Sequence, residues 1–258
     1  MIVSKSKKIL LISNLKNCKQ LLKNKILKKD EFLDLHTLPS KILHLKGKNF
    51  IVDDKSCSIF YENLIKSKFK IIKREDPIYL LKAIKNKIEI KNMINAHILD
   101  GVALTKFLFW IKKINKKKIT EVEAAKKLEN FRKLNKNFLY PSFDTIAGSG
   151  KNGAIVHYRA KKEKCRTINR NDILLCDSGG QYKYGTTDVT RTICFSKQKH
   201  SIKNIFTKVL KGHIAVATTD INKDDTGKKI DKRARKFLNK SNLDYAHGTG
   251  HGLSLIHI

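Results

Sequence analysis

The chain has no C-x-x-C pair, no long apolar run and few arginines, and each shortage closes off a class of function. Its five cysteines, Cys18, Cys57, Cys165, Cys176 and Cys194, are odd in number and scattered. That pattern argues against a disulfide framework and fits a reducing compartment. No stretch of about 18 apolar residues is present, so no segment reads as a membrane span. The N-terminal apolar stretch, Ile9 to Ile12, is too short for the core of a secretory signal. A cytoplasmic location with no membrane partner is the expectation.

The shortage of arginine bears on the charge. A formal net charge of +32 ordinarily points to nucleic acid or an anionic membrane. Only eight of the 55 basic residues are Arg, however, and Ile and Asn are also abundant. Lys, Ile and Asn share AT-rich codons, so genome composition accounts for the excess. The lysines are scattered along solvated helix faces, without the interleaved aromatics on which single-strand binders stack bases. No nucleic-acid partner is expected. The Gly148-Ser149-Gly150-Lys151-Asn152-Gly153 turn lacks the G-K-[ST] ending and the following helix of a phosphate-binding loop. Neither an internal repeat nor a low-complexity tract stands out.

What is there begins with short α/β pieces. Ile9–Ile12, Phe50–Val52 and Phe69–Ile72 read as strands, and 38–45 and 58–66 as helices. A boundary is expected near Asp76-Pro77, because proline disfavours helix in the residue before it. From Ile78 to Ile114 the pattern is helical, with Leu81, Ile84, Ile88, Met93, Ile94, Ile98, Val102 and Phe107 as its apolar positions and a break into two helices. Trp110 and the Phe107–Phe109 cluster are expected in the core. Thr120-Glu121-Val122-Glu123 is a capping box that starts a helix through Leu134. Pro141 opens a β-rich stretch in which Ala154–Tyr158 reads as a strand. Two further helices are expected, an amphipathic one over 200–219 with Ile202, Ile205, Phe206, Val209 and Leu210, and a basic one over 226–238.

The chemistry sits between these elements. Asp177 ends the apolar run Ile173–Cys176, and Asp188 opens a second β-like run, Val189 to Phe195. A Gly-rich turn separates them, so the ribbon folds back and can point both carboxylates at one ion or ion pair. His247 and His251 follow in HGTGHG. Carboxylate oxygens and an imidazole suit a hydrolytic transition-metal site. Taken singly, an Asp in a turn usually bonds its own backbone, and a lone His is usually a satisfied polar residue. Neither reading explains all these parts in this order.

Several long motifs, YPSFDTIAGSGKNGAIVHYRA (140–160), LLCDSGGQYKYGTTDVTRTICF and LDYAHGTGHG, resemble the aminopeptidase P (Xaa-Pro aminopeptidase) family of pita-bread metallopeptidases. The likeness is strong from about Asp76 to Gly252 and weak before that. It implies an α+β, pita-bread catalytic domain over 76–258, preceded over 1–75 by the end of a creatinase-type α/β domain. It implies two divalent metal ions, with Mn2+ expected and Co2+ or Zn2+ as alternatives. The implied metal ligands are Asp177, Asp188, which would bridge the two ions, and His251. His157 matches a histidine near the scissile bond, and His247 one that supports substrate and transition-state charge. The implied substrate is a peptide with proline at position two, and a homodimer is expected at full length. Alternatives within the fold are methionine aminopeptidase, prolidase or a creatinase-like hydrolase. A metal-free pita-bread binding module is a reading of another class.

The resemblance also implies two glutamates beyond HGTGHG, one of them the general acid/base, and the sequence has no such segment. A truncated catalytic domain is therefore expected, inactive and marginally folded as it stands. Leu253–Ile258 spells a peptide that a common transposon-based sequencing adapter encodes in one frame, and it is read as not native.

Overall fold

The computed structural model describes residues 2–4, 9–114, 118–223 and 226–252. Leu253–Ile258, read above as not native, lies outside them. The chain forms two compact units, residues 1–81 and 82–258.

The first unit contains β1 (Ile2–Val3), β2 (Ile9–Ser13), α1 (Leu15–Lys23), β3 (Phe32–Asp34), α2 (Leu38–His44), β4 (Asn49–Val52), α3 (Ile59–Lys66) and β5 (Lys70–Lys73). β2 lies between antiparallel β1 and parallel β3, and β4 pairs with β5 in parallel. Parallel neighbours need a crossover, and α1 and α3 supply it. The core is Leu38, Ile42, Val52, Ile65 and Phe69. β1, β3 and α1 add to the elements expected from the sequence. The strands are too short to show an alternation, and α1 buries only Cys18 among its residues.

α4 (Pro77–Ala83) spans the division between the units. In the second unit α5 (Lys87–Lys113) is followed by α6 (Glu121–Lys133), β6 (Phe138–Pro141), β7 (Ile146–Ser149), β8 (Ile173–Ser178), β9 (Gly180–Tyr182), β10 (Gly185–Thr186), β11 (Val189–Cys194), α7 (His200–Ala217) and α8 (Gly227–Asn239). The expected helix break falls between α4 and α5 and is set by a cap. The Asn86 side chain accepts from the amides of Ile88 and Glu89, and Glu89 accepts from the Asn86 amide at 2.8 Å. Thr120 and Glu123 cap α6 in the same way. Two antiparallel sheets follow, ordered β10-β9-β6 and β11-β8-β7. Helices α5 and α6 pack beside the second sheet and enclose Phe107, Leu128 and Leu174, each fully buried. Truncating any of the three to alanine costs about 2–5 kcal/mol.

The apolar pattern of these helices does not map simply onto burial, and the expectation for the Phe107–Phe109 cluster needs correction. The buried face of α5 is Ala96, Asp100, Ala103, Leu104, Phe107 and Ile111, whereas Ile88, Ile94, Ile98 and Val102 are exposed. The helix turns small residues inward because its neighbour comes close. A β-carbon on Gly185 of β10 would stand 2.8 Å from that of Ala96. Likewise Phe109 is 62% exposed, with the Lys113 ammonium 4.4 Å from its ring centre. Only Phe107 of its cluster is fully buried; Trp110 packs on the core edge. The apolar side of α7 carries exposed Ile205, Phe206, Val209 and Leu210, while Gly212 lies against the Ala234 backbone of α8.

By length and composition α5 could cross a membrane, with mean hydropathy 1.2 over its most apolar window. One face instead carries Asp100, which is wholly buried and ion-paired to Arg132 at 2.6 Å. Through that pair α5 packs against α6.

Candidate metal centre

The paired strands build the site. β8 alternates in burial, with Leu174, Cys176 and Ser178 inside and Leu175 and Asp177 on the other face. The register pairs Thr190 of β11 with Asp177, and the Thr190 hydroxyl donates to Asp177 Oδ1 at 2.8 Å. Asp188, two positions before Thr190, returns to the same face. The two aspartates are diagonal neighbours across the ladder, within reach of each other. The intervening residues form the β9–β10 hairpin rather than a loose turn. Gly179 is required there, because a β-carbon would collide with the Thr187 carbonyl and the Ser142 hydroxyl.

The electrostatics follow. Burial pushes the Asp177 carboxyl above its usual range, and the adjacent Asp188 pushes it further. The Thr190 hydroxyl and His157 act in the opposite direction. Two carboxylates brought together against their own repulsion form a place where a cation is favourable. His251 Nε2 stands 3.4 Å from Asp188 Oδ2. Two carboxylates and an imidazole match a divalent transition-metal ion in donor type and charge. Among the described residues, no three His, Cys, Asp or Glu side chains are already gathered as a closed ligand set. The contacts are pairwise, Asp177 with Asp188 and Asp188 with His251.

His157 acts on Asp177 but does not lie on a strand, which corrects the expectation for Ala154–Tyr158. The segment is a 3-10 helix, Gly150–Ala154, followed by a bend and a turn, and His157 has φ 55°. A non-glycine residue in the left-handed region is uncommon and is held there by its surroundings. The β-propensity of Ile155 and Val156 is overridden by Glu121. This wholly buried carboxylate accepts from Ser149 N at 2.7 Å, Arg166 N at 2.8 Å, Asn152 Nδ2 at 3.0 Å and the Tyr158 hydroxyl at 2.7 Å. Asn152 and Tyr158 bracket the turn, so Glu121 draws both of its ends inward.

His247 is not brought to the aspartates by its side chain. Its ring lies 4.7 Å from that of Tyr245, and Nδ1 donates to the Gly248 carbonyl at 2.8 Å.

Sequence reasoning missed the polar groups beneath the site. Arg132 donates to both oxygens of Asp100, at 2.6 and 3.0 Å, and to Ser178 Oγ at 3.0 Å; the Tyr182 hydroxyl donates to Asp100 at 2.8 Å. A signal for this was present. Ala124, Leu128 and Arg132 recur at a spacing of four on α6, and Asp100 sits within the buried stripe of α5. A charge on each of two buried stripes asks for a partner.

Tyr158 gives a test of the Glu121 cluster. Burial first, and then the bond to the Glu121 carboxylate, push its phenol from 10.0 to about 12. The raised value means the native state favours the neutral phenol. Its contribution to stability is full below the ordinary tyrosine range and is lost as pH rises through about 12. Ultraviolet titration of the chain minus its Tyr158→Phe variant should show one phenol ionising near that value. Replacing Glu121 by glutamine should bring the transition down; an unchanged transition would show that the carboxylate does not act on the phenol.

Comparisons with known proteins fit this geometry. Residues 91–257 match the model of metallopeptidase family M24. A probable Xaa-Pro aminopeptidase P of Paracoccidioides brasiliensis is 48% identical over 187 residues, covering 71% of this chain and 30% of that protein. Its counterpart in Sordaria macrospora is 49% identical over 180 residues, covering 69% of this chain and 29% of that protein. The chain thus spans less than a third of the length of these curated relatives. Among solved structures, the X-prolyl aminopeptidase of Caenorhabditis elegans, described as a cytosolic enzyme with a di-nuclear active site, superposes with a TM-score of 0.77 at 30% identity, over 87% of this chain and 38% of that one. The Xaa-Pro dipeptidase of Bacillus anthracis, at 21% identity and TM-score 0.74 over 95% of this chain and 69% of that one, shares the fold. The architecture is the α+β, pita-bread fold.

Proposed function

Because the chain belongs to metallopeptidase family M24, we propose that it carries the metal-binding part of an aminopeptidase that releases the N-terminal residue from peptides with proline in second position. One observation carries the reading. Asp177 and Asp188 share a face of the β8–β11 ladder, with His251 against Asp188 and His157 beside Asp177. The similarity to Xaa-Pro aminopeptidases over the same stretch supports the substrate class.

Asp177, Asp188 and His251 would hold two divalent ions, manganese being the proposed identity. When bound, such ions supply Lewis acidity at the scissile carbonyl and a lowered pKa for water. The carboxylates supply the negative charge that balances the ions, and neutral imidazole adds a donor without further charge. His157, fixed in its left-handed backbone, orients the peptide beside Asp177. His247 would meet substrate if its ring left Tyr245. Residues 1–75 are proposed as the end of a preceding α/β domain and 76–258 as catalytic domain sequence. A cytosolic homodimer is the proposed state of the natural full-length protein.

The test is hydrolysis by the natural full-length protein, stripped with chelator and restored with Mn2+, on Arg-Pro-Pro and Met-Ala peptides. Release of Arg from Arg-Pro-Pro only after Mn2+ is restored is the expected result. Preference for Met-Ala would sink the substrate assignment, and full activity in chelator would sink the metal. Asp188→Ala should lose more than about 100-fold in Mn2+ affinity, beyond what groups that merely support a ligand cost. Cys176→Ala, which alters the core face of β8 beside Asp177, should keep the affinity. Equal Mn2+ occupancy in the two variants would remove Asp188 from the site.

A further inference from the structure

His251 reaches Asp188 from a segment that packing does little to hold. From Leu243 to Gly252 every residue but Tyr245 is exposed, and a β-carbon added at Gly248 or Gly250 would meet nothing within 4 Å. Something other than burial sets where the segment lies.

That something is one guanidinium. Arg235 projects from α8 with its side chain only 17% exposed. Nε donates to both oxygens of Asp231, one turn back, at 3.0 and 2.9 Å. One terminal nitrogen donates to Asp244 Oδ1 at 2.7 Å and to the Tyr245 carbonyl at 2.8 Å. The other donates to the His247 carbonyl at 2.8 Å. The guanidinium Cζ also lies 3.9 Å from the Tyr245 ring centre. Asp231, held by this fork, accepts in turn from the Thr249 hydroxyl, two residues before His251. Five hydrogen bonds in fixed directions are within the reach of arginine and not of lysine, whose ammonium is a point charge.

We infer that Arg235 is a positioning residue for the metal centre: anchored on α8, it fixes the 244–249 segment from both sides and so carries His251 to Asp188. The inference rests on the reading that Asp188 and His251 take part in divalent-ion binding. It assigns Arg235 no contact with ion or substrate. Groups that orient metal ligands are worth about 10–100-fold in metal affinity, and that is the size of effect expected here.

The experiment titrates this chain with Mn2+ alone, reading free Mn2+ by electron paramagnetic resonance, and follows amide exchange in parallel. Arg235→Lys keeps the charge and loses the fork. Thr249→Val keeps every guanidinium contact and removes the threonine hydroxyl's bonds to Asp231 and to the Tyr245 phenol. Lys232→Ala, on the same helix, is the control. The expected result is Mn2+ affinity weakened about tenfold or more in Arg235→Lys and Thr249→Val. Amides 245–251 should exchange faster in both, α7 and α8 should keep their protection, and the control should match the wild type. Wild-type affinity in both variants overturns the inference while leaving the metal site standing. If Arg235→Lys exposes α8, Thr249→Val decides alone, and wild-type affinity there overturns the inference. A different failure is recognisable: if the wild type binds no Mn2+, or Asp188→Ala binds it equally, the metal-site reading falls and the inference with it.

Discussion

Replacing Arg132 by alanine is expected to cost about 3–5 kcal/mol of folding stability, as for a buried ion pair stripped of one partner. The size comes from what is left behind. Asp100 is wholly buried, and its two oxygens lose both bonds from the guanidinium. Ser178 Oγ loses its donor as well. The Tyr182 hydroxyl, which donates to Asp100, cannot balance the charge; burial and then that carboxylate already push its phenol upward. Urea unfolding should show a lower midpoint at unchanged slope. A second variant separates charge from shape. Joining Asp100→Asn to Arg132→Met removes both charges and should recover most of the loss, because an ion pair replaced by packed neutral groups is often neutral in stability. A loss below about 1 kcal/mol for Arg132→Ala, the scale of an exposed pair, would show that Asp100 is reached by water.

Glu121→Ala is the second large effect. Its carboxylate is the shared acceptor of two backbone amides, one amide side chain and one phenol. Each buried donor left unpaired costs about 1–3 kcal/mol, and the costs do not simply add. A loss of about 4 kcal/mol is expected. The effect should reach the site, because Asn152 and Tyr158 close the turn that holds His157 in the left-handed region. Glutamine at the same position keeps one acceptor oxygen and should lie between the two. Solution NMR of the His157 ring would report the loss of its fixed environment. A Glu121→Ala chain with native stability and an unmoved His157 resonance would mean that the turn holds itself.

These two positions show how much was legible in the residues. The capping box at Thr120 was readable because it is local, four residues long, and governed by the same four unpaired amides in every helix. That reading gave the cap to Glu123, correctly. It saw nothing in Glu121, because all four of Glu121's donors lie at least 28 positions further along the chain. The strand assigned to Ala154–Tyr158 failed for the same reason. A β-branched pair sets a preference, and a distant buried carboxylate overrode it. On α5 the helical period was right, but of the apolar positions named on it only Phe107 is fully buried: periodicity says which residues share a side, not which side meets a neighbour.

What the sequence determined by itself was the local chemistry and its order along the chain. The caps of α5 and α6, the two β-runs ending and beginning in aspartate, the Gly-rich return between them and the HGTGHG segment all follow from short-range rules. The fold-back of the ribbon was enough to put Asp177 and Asp188 on one face. Only the tertiary structure decided how firmly these pieces are held. It paired Asp100 with Arg132 under the ladder, bent the His157 segment onto Glu121, and tied the His251 segment to α8 through Arg235. The reason is physical. Burial and electrostatic pairing depend on which distant groups share a volume free of water, and that is fixed by packing, not by spacing along the chain.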